Sequence, residues 1–261
     1  MGTGHDGKKQ RASGYLTNID FNKVLDFDGI VKEAIERTVE KLDARKINTN
    51  KYPIVFTQKT AASIVGSLLQ AIKGSAIYNK SSFLLDKINT QVLPSFINLV
   101  ENPFIDGKDY SSNFDGEGCK PKVLEIIKDG VLKEYLLSSY SARRLKMPNN
   151  AHASASYGKS FYGDEAHTLP FKKLLSTVGE GLVIDSLMGQ GVDITSGNYS
   201  RGASGYYFKN GKREFAIDEI TIASNLKDML LNIALLSNEY DERMSMQIPH
   251  ILIDNLSVSG N

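Results

Sequence analysis

Cysteine is almost absent from this chain of 261 residues, since Cys119 is its only one. A single thiol excludes an intrachain disulfide and any multi-cysteine zinc ribbon. Long apolar runs are absent too, because no stretch approaches the roughly 18 residues that span a bilayer. No apolar segment follows the basic N-terminal residues, as a secretory signal would require. These absences fit a reduced, cytoplasmic setting, and we expect no membrane partner.

Histidine is also scarce, and its four occurrences are scattered. No two of them lie four or five residues apart on a predicted helix, and no H-E-x-x-H motif is present. We therefore predict no metal site and no cofactor in this chain, and we interpret each histidine as a surface or loop residue. Cys119 has no neighbouring histidine and is interpreted as an ordinary thiol. The four histidines are His5, His152, His167 and His250.

Charge of one sign is not in excess, because 31 Lys and Arg residues face 30 Asp and Glu residues, for a net charge of +1. This balance gives no reason to expect direct binding to nucleic acid or to an anionic membrane. A small basic cluster at Arg143, Arg144 and Lys146 is interpreted as solvated surface.

The hydrophobic pattern of the first part of the chain predicts two helices and a strand. A helix follows Asp28, which is a suitable N-cap residue. A short buried strand at residues 54–57 precedes a mostly apolar helix at residues 58–78. The apolar face of the first helix consists of Ile30, Val31, Ala34, Ile35, Val39 and Leu42.

The remaining part of the chain is richer in predicted strands. Asp129-Gly130 predicts a hairpin with arms at Val123–Lys128 and Val131–Ser138, and Asn210-Gly211 predicts another. Helices and strands are segregated rather than alternating, which favours an α+β fold with mixed helices and a curved, mainly antiparallel, β-rich C-terminal domain. The other predicted elements are a long loop at 148–168, a helix at 171–179, a helix at 226–237 and a strand at 250–260.

A glycine-rich stretch, "MGQGVDITSGNYSRGASGYYF", runs from Met188 to Phe208. It does not match a phosphate-binding loop, because the tripeptide Gly158-Lys159-Ser160 has alanine five residues upstream and the dinucleotide pattern fails at Ile194. Its serines, Ser200 and Ser204, do not lie in a nucleophile elbow. We interpret the glycines as positions of positive φ and close strand crossing. These glycines are Gly189, Gly191, Gly197 and Gly205.

Arg201 is the residue of this stretch that is best suited to bind a ligand. Its planar guanidinium can reach a carboxylate or a peptide carbonyl of a ligand, or it can form an internal salt bridge that holds the glycine-rich turn. The two interpretations are equally open on the sequence. The candidate contact residues for a partner or peptide are Tyr199, Ser200, Arg201 and Gly202.

Several long segments resemble the TldD/PmbA family, formerly described as modulators of DNA gyrase. They are "KSSFLLDKINTQVLP", "IIKDGVLKEYLLSSYSARRL" and the run from Gly181 to Ile233, within which "MGQG", "SGNYSRGASG" and "EITIASNLKDM" follow in order. The resemblance extends from about Gly4 to the end of the chain and is densest from Ser186 to Ile233.

The resemblance implies zinc-dependent cleavage of unfolded peptides, among them peptide toxins and antitoxins, by two subunits that act together in the cytosol. The zinc-bearing subunit of the family has a helix with H-E-x-x-x-H and a later cysteine. In this chain Gly66 and Ser67 stand where the His-Glu pair would lie, and Ala71 stands at the second histidine. The chain therefore resembles the zinc-free, PmbA (TldE) type of subunit, with zinc expected in a TldD-like partner and none here.

The resemblance also implies a domain organisation. Residues 1–50 correspond to a remnant hairpin and helix of the linking region, and residues 51–261 correspond to the family's C-terminal domain. The turn at Asp6-Gly7 has little sequence before it, and the family's additional N-terminal α/β domain is missing, so the beginning of the chain looks truncated.

Four functions follow from these observations. The resemblance favours a non-catalytic subunit of a peptidase complex. An independent enzyme with an unrecognised site, a protein-binding regulator of the kind that the older family name suggests, and an inactive truncated family member are the alternatives.

Overall fold

The computed structural model describes residues 1–24 and 26–260. Within this part of the chain lie fourteen strands and six α-helices. The strands are β1 (Gly2–Thr3), β2 (Lys9–Gln10), β3 (Asn50–Phe56), β4 (Ile97–Asn102), β5 (Leu124–Lys128), β6 (Val131–Leu132), β7 (Gly158–Gly163), β8 (Thr168–Leu169), β9 (Glu180–Met188), β10 (Asn198–Lys209), β11 (Lys212–Asn225), β12 (Ile233–Ser237), β13 (Met246–Gln247) and β14 (Ile251–Ser259). The helices are α1 (Phe27–Val39), α2 (Gln58–Ala71), α3 (Gly74–Tyr78), α4 (Ser139–Leu145), α5 (Phe171–Val178) and α6 (Leu226–Leu231).

Five of these strands close into a ring in the order β11, β10, β9, β3 and β14, because β14 also pairs with β11. One end of β14 pairs with β12 instead, and β12 carries β8 as the last strand of this sheet. Among the described strands, three pairs are parallel, namely β3 with β9, β12 with β8 and β13 with β7. The curved, mainly antiparallel α+β architecture predicted from the sequence is thereby confirmed.

A second sheet has the strand order β13, β7, β4, β5 and β6. The hairpin at Asp129-Gly130 is confirmed, and both turn residues have positive φ. Its second arm is shorter than predicted, because only Val131 and Leu132 pair before the chain leaves the sheet. The prediction of one long loop at residues 148–168 is wrong, since β7 lies within it and pairs with β4 along its whole length.

Helix α1 begins two residues earlier than the predicted cap at Asp28 implies. Asp26 is the N-cap, and its side chain accepts a hydrogen bond from the backbone N–H of Gly29, so Asp28 belongs to the first turn. The helix is apolar on more than one side, and its inner side lies against the N-terminal segment, with Ile30 beside Gly14 and Thr38 beside Gly2. A row of large apolar side chains at a spacing of four residues stays exposed, and we call it the α1 row. The α1 row consists of Phe27, Val31, Ile35 and Val39.

Two predicted helices are interrupted. The helix predicted at residues 58–78 is split into α2 and α3, because Lys73 is extended and bridges Leu136, and the N–H of Gly74 donates to the Leu136 carbonyl at 2.8 Å. The helix predicted at residues 226–237 ends at Leu231, and the rest forms β12, because these residues find a strand partner in β14. The helix at α5, the hairpin at Asn210-Gly211 and the closing strand β14 are confirmed.

The N-terminal residues fold onto the ring. β1 and β2 form the hairpin predicted around Asp6-Gly7. Gln10 donates a side-chain hydrogen bond to Asp218 at 3.0 Å, and Lys41 lies 3.5 Å from the Asp185 carboxylate. Arg243 reaches back to the Tyr15 carbonyl at 3.0 Å. The division into residues 1–50 and 51–261 stays a prediction.

Candidate functional site

Strand β10 sends alternate side chains to its two faces. Tyr199 is 2% exposed and belongs to the main hydrophobic core, whereas Ser200 is exposed and Arg201 is half-buried. Because the register with β11 is continuous here, Tyr199 and Arg201 share the inner face and Ser200 and Gly202 share the outer one. Of the four predicted contact residues, the structure therefore brings Tyr199 and Arg201 together and separates them from the other two.

Arg201 connects β10 to helix α2. Its Nη1 donates a hydrogen bond to the Ser63 hydroxyl at 2.7 Å, across 138 positions of sequence. Ser63 lies on the outer side of α2, which is lined by small and polar residues. A Cβ atom added at Gly66 on this side would meet no heavy atom within 4 Å, so the space above the helix is open. This outer side, which we call the α2 face, consists of Lys59, Ser63, Gly66, Ser67 and Gln70.

The charge of Arg201 has no counter-ion in the part of the chain that the structure describes, because no carboxylate lies within ion-pair distance of it. Its Nε atom is buried without a hydrogen-bond partner, and so is the hydroxyl of Tyr199. Burial raises the pKa of Tyr199 to about 12, although the nearby Arg201 opposes the shift. The internal salt bridge that the sequence left open is thus not formed among these residues.

Several glycines around Arg201 are required by close backbone contacts or by a positive φ. A Cβ atom at Gly191 would lie 1.6 Å from the Ser200 carbonyl oxygen, because the N–H of Ser200 donates to the Gly191 carbonyl at 2.6 Å. A Cβ atom at Gly205 would lie 1.9 Å from the Val183 carbonyl oxygen. By contrast, a Cβ atom at Gly202 would find its nearest neighbour at 3.4 Å, an ordinary contact. Gly189 and Gly197 have φ of 80° and 85°.

The connection between β9 and β10 is held in place by its own polar side chains. The pKa of Asp193 is lowered because the Ser196 hydroxyl and the Thr195 N–H donate to its carboxylate. The N–H of Phe83 donates to the Ile194 carbonyl at 2.8 Å, which fixes the connection against the rest of the molecule. The turn therefore presents β10, and Arg201 with it, in one position.

A buried charged cluster was missed on the sequence. Glu101 is fully buried, and its carboxylate contacts the His152 ring through one oxygen and the Lys159 ammonium through the other, the latter at 2.6 Å. His152 lies in the irregular segment before β7, in agreement with the prediction of a surface or loop residue, but its side chain is only 5% exposed and is therefore not a surface side chain. The alternation along β4, with Ile97, Leu99 and Glu101 all pointing inward, was the signal that could have revealed it.

This cluster is closed rather than open to a ligand. The second ring nitrogen of His152 lies 2.9 Å from the Asn150 carbonyl, and Lys159 also donates to the Tyr157 carbonyl at 2.8 Å. Its polar groups thus connect β4, β7 and the segment before β7. His250 also lies in a loop, directly before β14, but its ring stacks on Phe171 and its Nδ1 lies 2.9 Å from the Ser237 hydroxyl.

The residues of α2 do not fit a zinc ion. The helix contains no His, Cys, Asp or Glu, and Ala71 is fully buried in the core. Within residues 1–24 and 26–260, one group of three potential ligands lies close together, namely Asp115, Glu117 and Cys119. The oxygens of Asp115 already accept hydrogen bonds from backbone N–H groups, which lower its pKa against the effect of burial.

In the same part of the chain, none of the helices combines the length and apolar character of a bilayer-spanning helix.

Comparison with known proteins identifies the class. The sequence profile of the PmbA/TldA metallopeptidase C-terminal domain matches residues 49–260. The chain is 36% identical to Metalloprotease PmbA of Escherichia coli O157:H7, over 98% of this chain and 56% of that protein. It therefore belongs to the PmbA/TldD metallopeptidase family.

Two further comparisons place the chain within that family. A Metalloprotease TldD homolog of Haemophilus influenzae is 24% identical over 98% of this chain and 59% of its own length, so the PmbA relative is the more similar of the two. The crystal structure of a Bacteroides thetaiotaomicron protein described as a modulator of DNA gyrase superposes with a TM-score of 0.91 at 24% identity, over 99% of this chain and 58% of that one. The chain spans a little over half the length of these relatives.

Proposed function

We propose that this chain acts as a non-catalytic, zinc-free subunit of a TldD/TldE-like peptidase complex in the cytosol. The observation that carries the proposal is the composition of α2, which has no metal ligand on its open outer side. Both the PmbA and the TldD relatives are named metalloproteases. Because α2 of this chain has no metal ligand, the zinc and the hydrolytic step would belong to a TldD-like partner subunit. The substrates would be unfolded peptides.

A strand edge beside the α2 face supports the role in peptide binding. β3 pairs with β9 only as far as Phe56 opposite Ile184, after which the chain turns into α2. β9 continues to Met188, paired with β10 on its other side. Residues 185–188 therefore have no strand on the β3 side in the part of the chain that the structure describes. Extended peptides are commonly held by backbone pairing to such an edge, which requires little side-chain specificity.

The test is the assembly of the chain with the zinc-bearing TldD-like paralogue from the same source. We expect light scattering after size exclusion to give one mixed species, and we expect peptide cleavage by the mixture but not by this chain alone. Elemental analysis of the isolated chain should show far less than one zinc per molecule. Cleavage by the isolated chain, or stoichiometric zinc in it, would contradict the proposal.

A protein-binding regulator is the second candidate, and the α1 row favours it. Exposed apolar patches of this kind mark protein contacts. If the mixing experiment gave two separate species and this chain were folded and monodisperse, the regulator would become the favoured function. If no protein partner of the chain were then found, an inactive family member would be the favoured interpretation.

A further inference from the structure

We propose that Arg201 and the α2 face form a binding site for the carboxylate of a peptide. This inference rests on the proposed function and names the chemical group that the zinc-free subunit recognises. The site lies between the inner face of β10 and the outer side of α2, where Ser63 contacts the guanidinium.

The electrostatic argument begins with the missing counter-ion. Arg201 is half-buried, and neither α2 nor any other described element places a carboxylate within 4.0 Å of it. The only charged residue on the α2 face is Lys59, which adds a second positive charge. A partly desolvated cation without a partner is costly, and a bound anion would offset that cost.

The geometry favours a carboxylate over a phosphate. Nη1 is occupied by Ser63, whereas Nε is buried without a partner and Nη2 makes no hydrogen bond to the described residues. The Nε–Nη2 edge of a guanidinium matches the two oxygens of a carboxylate. Phosphate sites gather several backbone N–H groups at a helix N-terminus, whereas Ser63 lies in the second turn of α2.

The α2 face has open space beside Ser63. Nothing lies within 4 Å of a Cβ atom at Gly66, one turn along the helix from Ser63. The edge of β9 that β3 leaves unpaired, at residues 185–188, lies beyond the end of β3 at which α2 begins. A peptide backbone paired there could therefore place its carboxylate near Arg201.

The test compares the binding of three fluorescein-labelled unstructured peptides to the full chain by anisotropy. One has a free C-terminal carboxylate, the second is its C-terminal amide, and the third is the amide with a glutamate at the last position. We expect the acid to bind the wild type at least about tenfold more tightly than the amide, as a charge-assisted hydrogen-bond pair allows. Recovery of tight binding by the third peptide would assign the site to any carboxylate, and no recovery would assign it to the peptide terminus.

The Arg201→Gln variant should remove the difference between acid and amide while leaving the amide affinity unchanged. Ser63→Ala should reduce the difference, because Ser63 positions the guanidinium. Ser176→Ala is the matched control, since the Ser176 hydroxyl donates to the Lys173 carbonyl at 2.9 Å within α5, outside the proposed site, and does not touch Arg201. Its ratio of affinities should equal that of the wild type. Melting temperatures within a few degrees of the wild type would show that the variants are folded.

Three results would overturn the inference: equal affinities of acid and amide for the wild type, a difference that survives in Arg201→Gln, or no binding of either peptide at millimolar concentration. If Arg201→Gln instead weakened the mixed complex with the TldD-like subunit while the peptides showed no contrast, the carboxylate would come from the partner chain, and the peptide assignment would be wrong. Failure of the complex to form at all would contradict the proposed function but would leave the peptide contrast measurable on this chain alone.

Discussion

At the scale of single residues, Gly66 stands in the middle of α2 without a structural reason to be glycine. Its φ lies in the ordinary range, and a Cβ atom there would meet nothing within 4 Å. Glycine inside a helix costs about 0.5–1 kcal/mol relative to alanine. We expect Gly66→Ala to raise the free energy of unfolding in urea by about that amount. A decrease would mean that the helix backbone at this position is strained.

Gly191 is the opposite case, because the strand crossing at Ser200 leaves no room for a side chain. We expect Gly191→Ala to lower the free energy of unfolding by about 2 kcal/mol, since the backbone of two segments must move apart. Gly202→Ala is the control, because its Cβ atom would make only ordinary contacts, and it should cost less than half as much. The same urea titration checks both.

The buried carboxylate of Glu101 is the third residue with a measurable consequence. Glu101→Gln leaves Lys159 buried opposite a neutral amide, and breaking a buried ion pair from one side costs about 3 kcal/mol. Glu125→Gln removes an exposed carboxylate that pairs with Lys128 at 3.1 Å, and it should cost much less stability than Glu101→Gln, because solvent screens the pair. Equal losses in the two variants would show that the Glu101 cluster is not part of the folded core.

The sequence could predict some of these residues and not others. Arg201 stood out by its chemistry and by the glycines around it. Its contact with Ser63 could not be predicted, because 138 residues separate the two and only the tertiary fold brings them together. The burial of Glu101 was missed for another reason. A single charged residue on a strand can be assigned to the inner face only when the bounds of the strand and its register are known.

At the scale of elements, the α1 row is a set of four exposed apolar side chains on one helix. Val31 and Ile35 are each 57% exposed, so their removal should leave the fold intact. We expect the double variant Val31→Ser and Ile35→Ser to bind an apolar fluorescent dye less than the wild type does, with a melting temperature within about 2 °C. A large drop in the melting temperature would mean that the row packs inside the protein in solution.

The prediction of secondary-structure elements succeeded where the local sequence determines the backbone conformation. The hairpins predicted at Asp129-Gly130 and Asn210-Gly211 are both present, because these pairs adopt the positive φ values that the turns require. It failed where tertiary partners decide. The residues of β12 have helical neighbours and apolar side chains, and they form a strand because β14 lies beside them.

At the scale of the whole molecule, His250 couples stability to pH. Burial lowers the pKa of His250 from 6.5 to about 4. A histidine whose folded-state pKa is depressed contributes stability above its unfolded pKa, and that contribution is lost as the pH falls from about 6.5 towards 4. The shift corresponds to about 3 kcal/mol.

We therefore expect the free energy of unfolding to fall over this pH range, and we expect His250→Asn to flatten this part of the profile. Asparagine can keep the hydrogen bond to Ser237 without titrating. His5→Asn, which replaces an exposed histidine, is the control and should leave the profile unchanged. An unchanged profile in His250→Asn would assign the acid sensitivity to other groups.

The closure of the ring by β14 has a consequence for the order of events during synthesis. β14 follows β3, β11 and β12 in the sequence and pairs with all three. While residues 251–259 are still inside the ribosome, β3 and β11 each have an unpaired edge, and the ring cannot close. The nascent chain thus depends on its last strand to cover edges made up to two hundred residues earlier, and a stalled ribosome would leave those edges open to other chains.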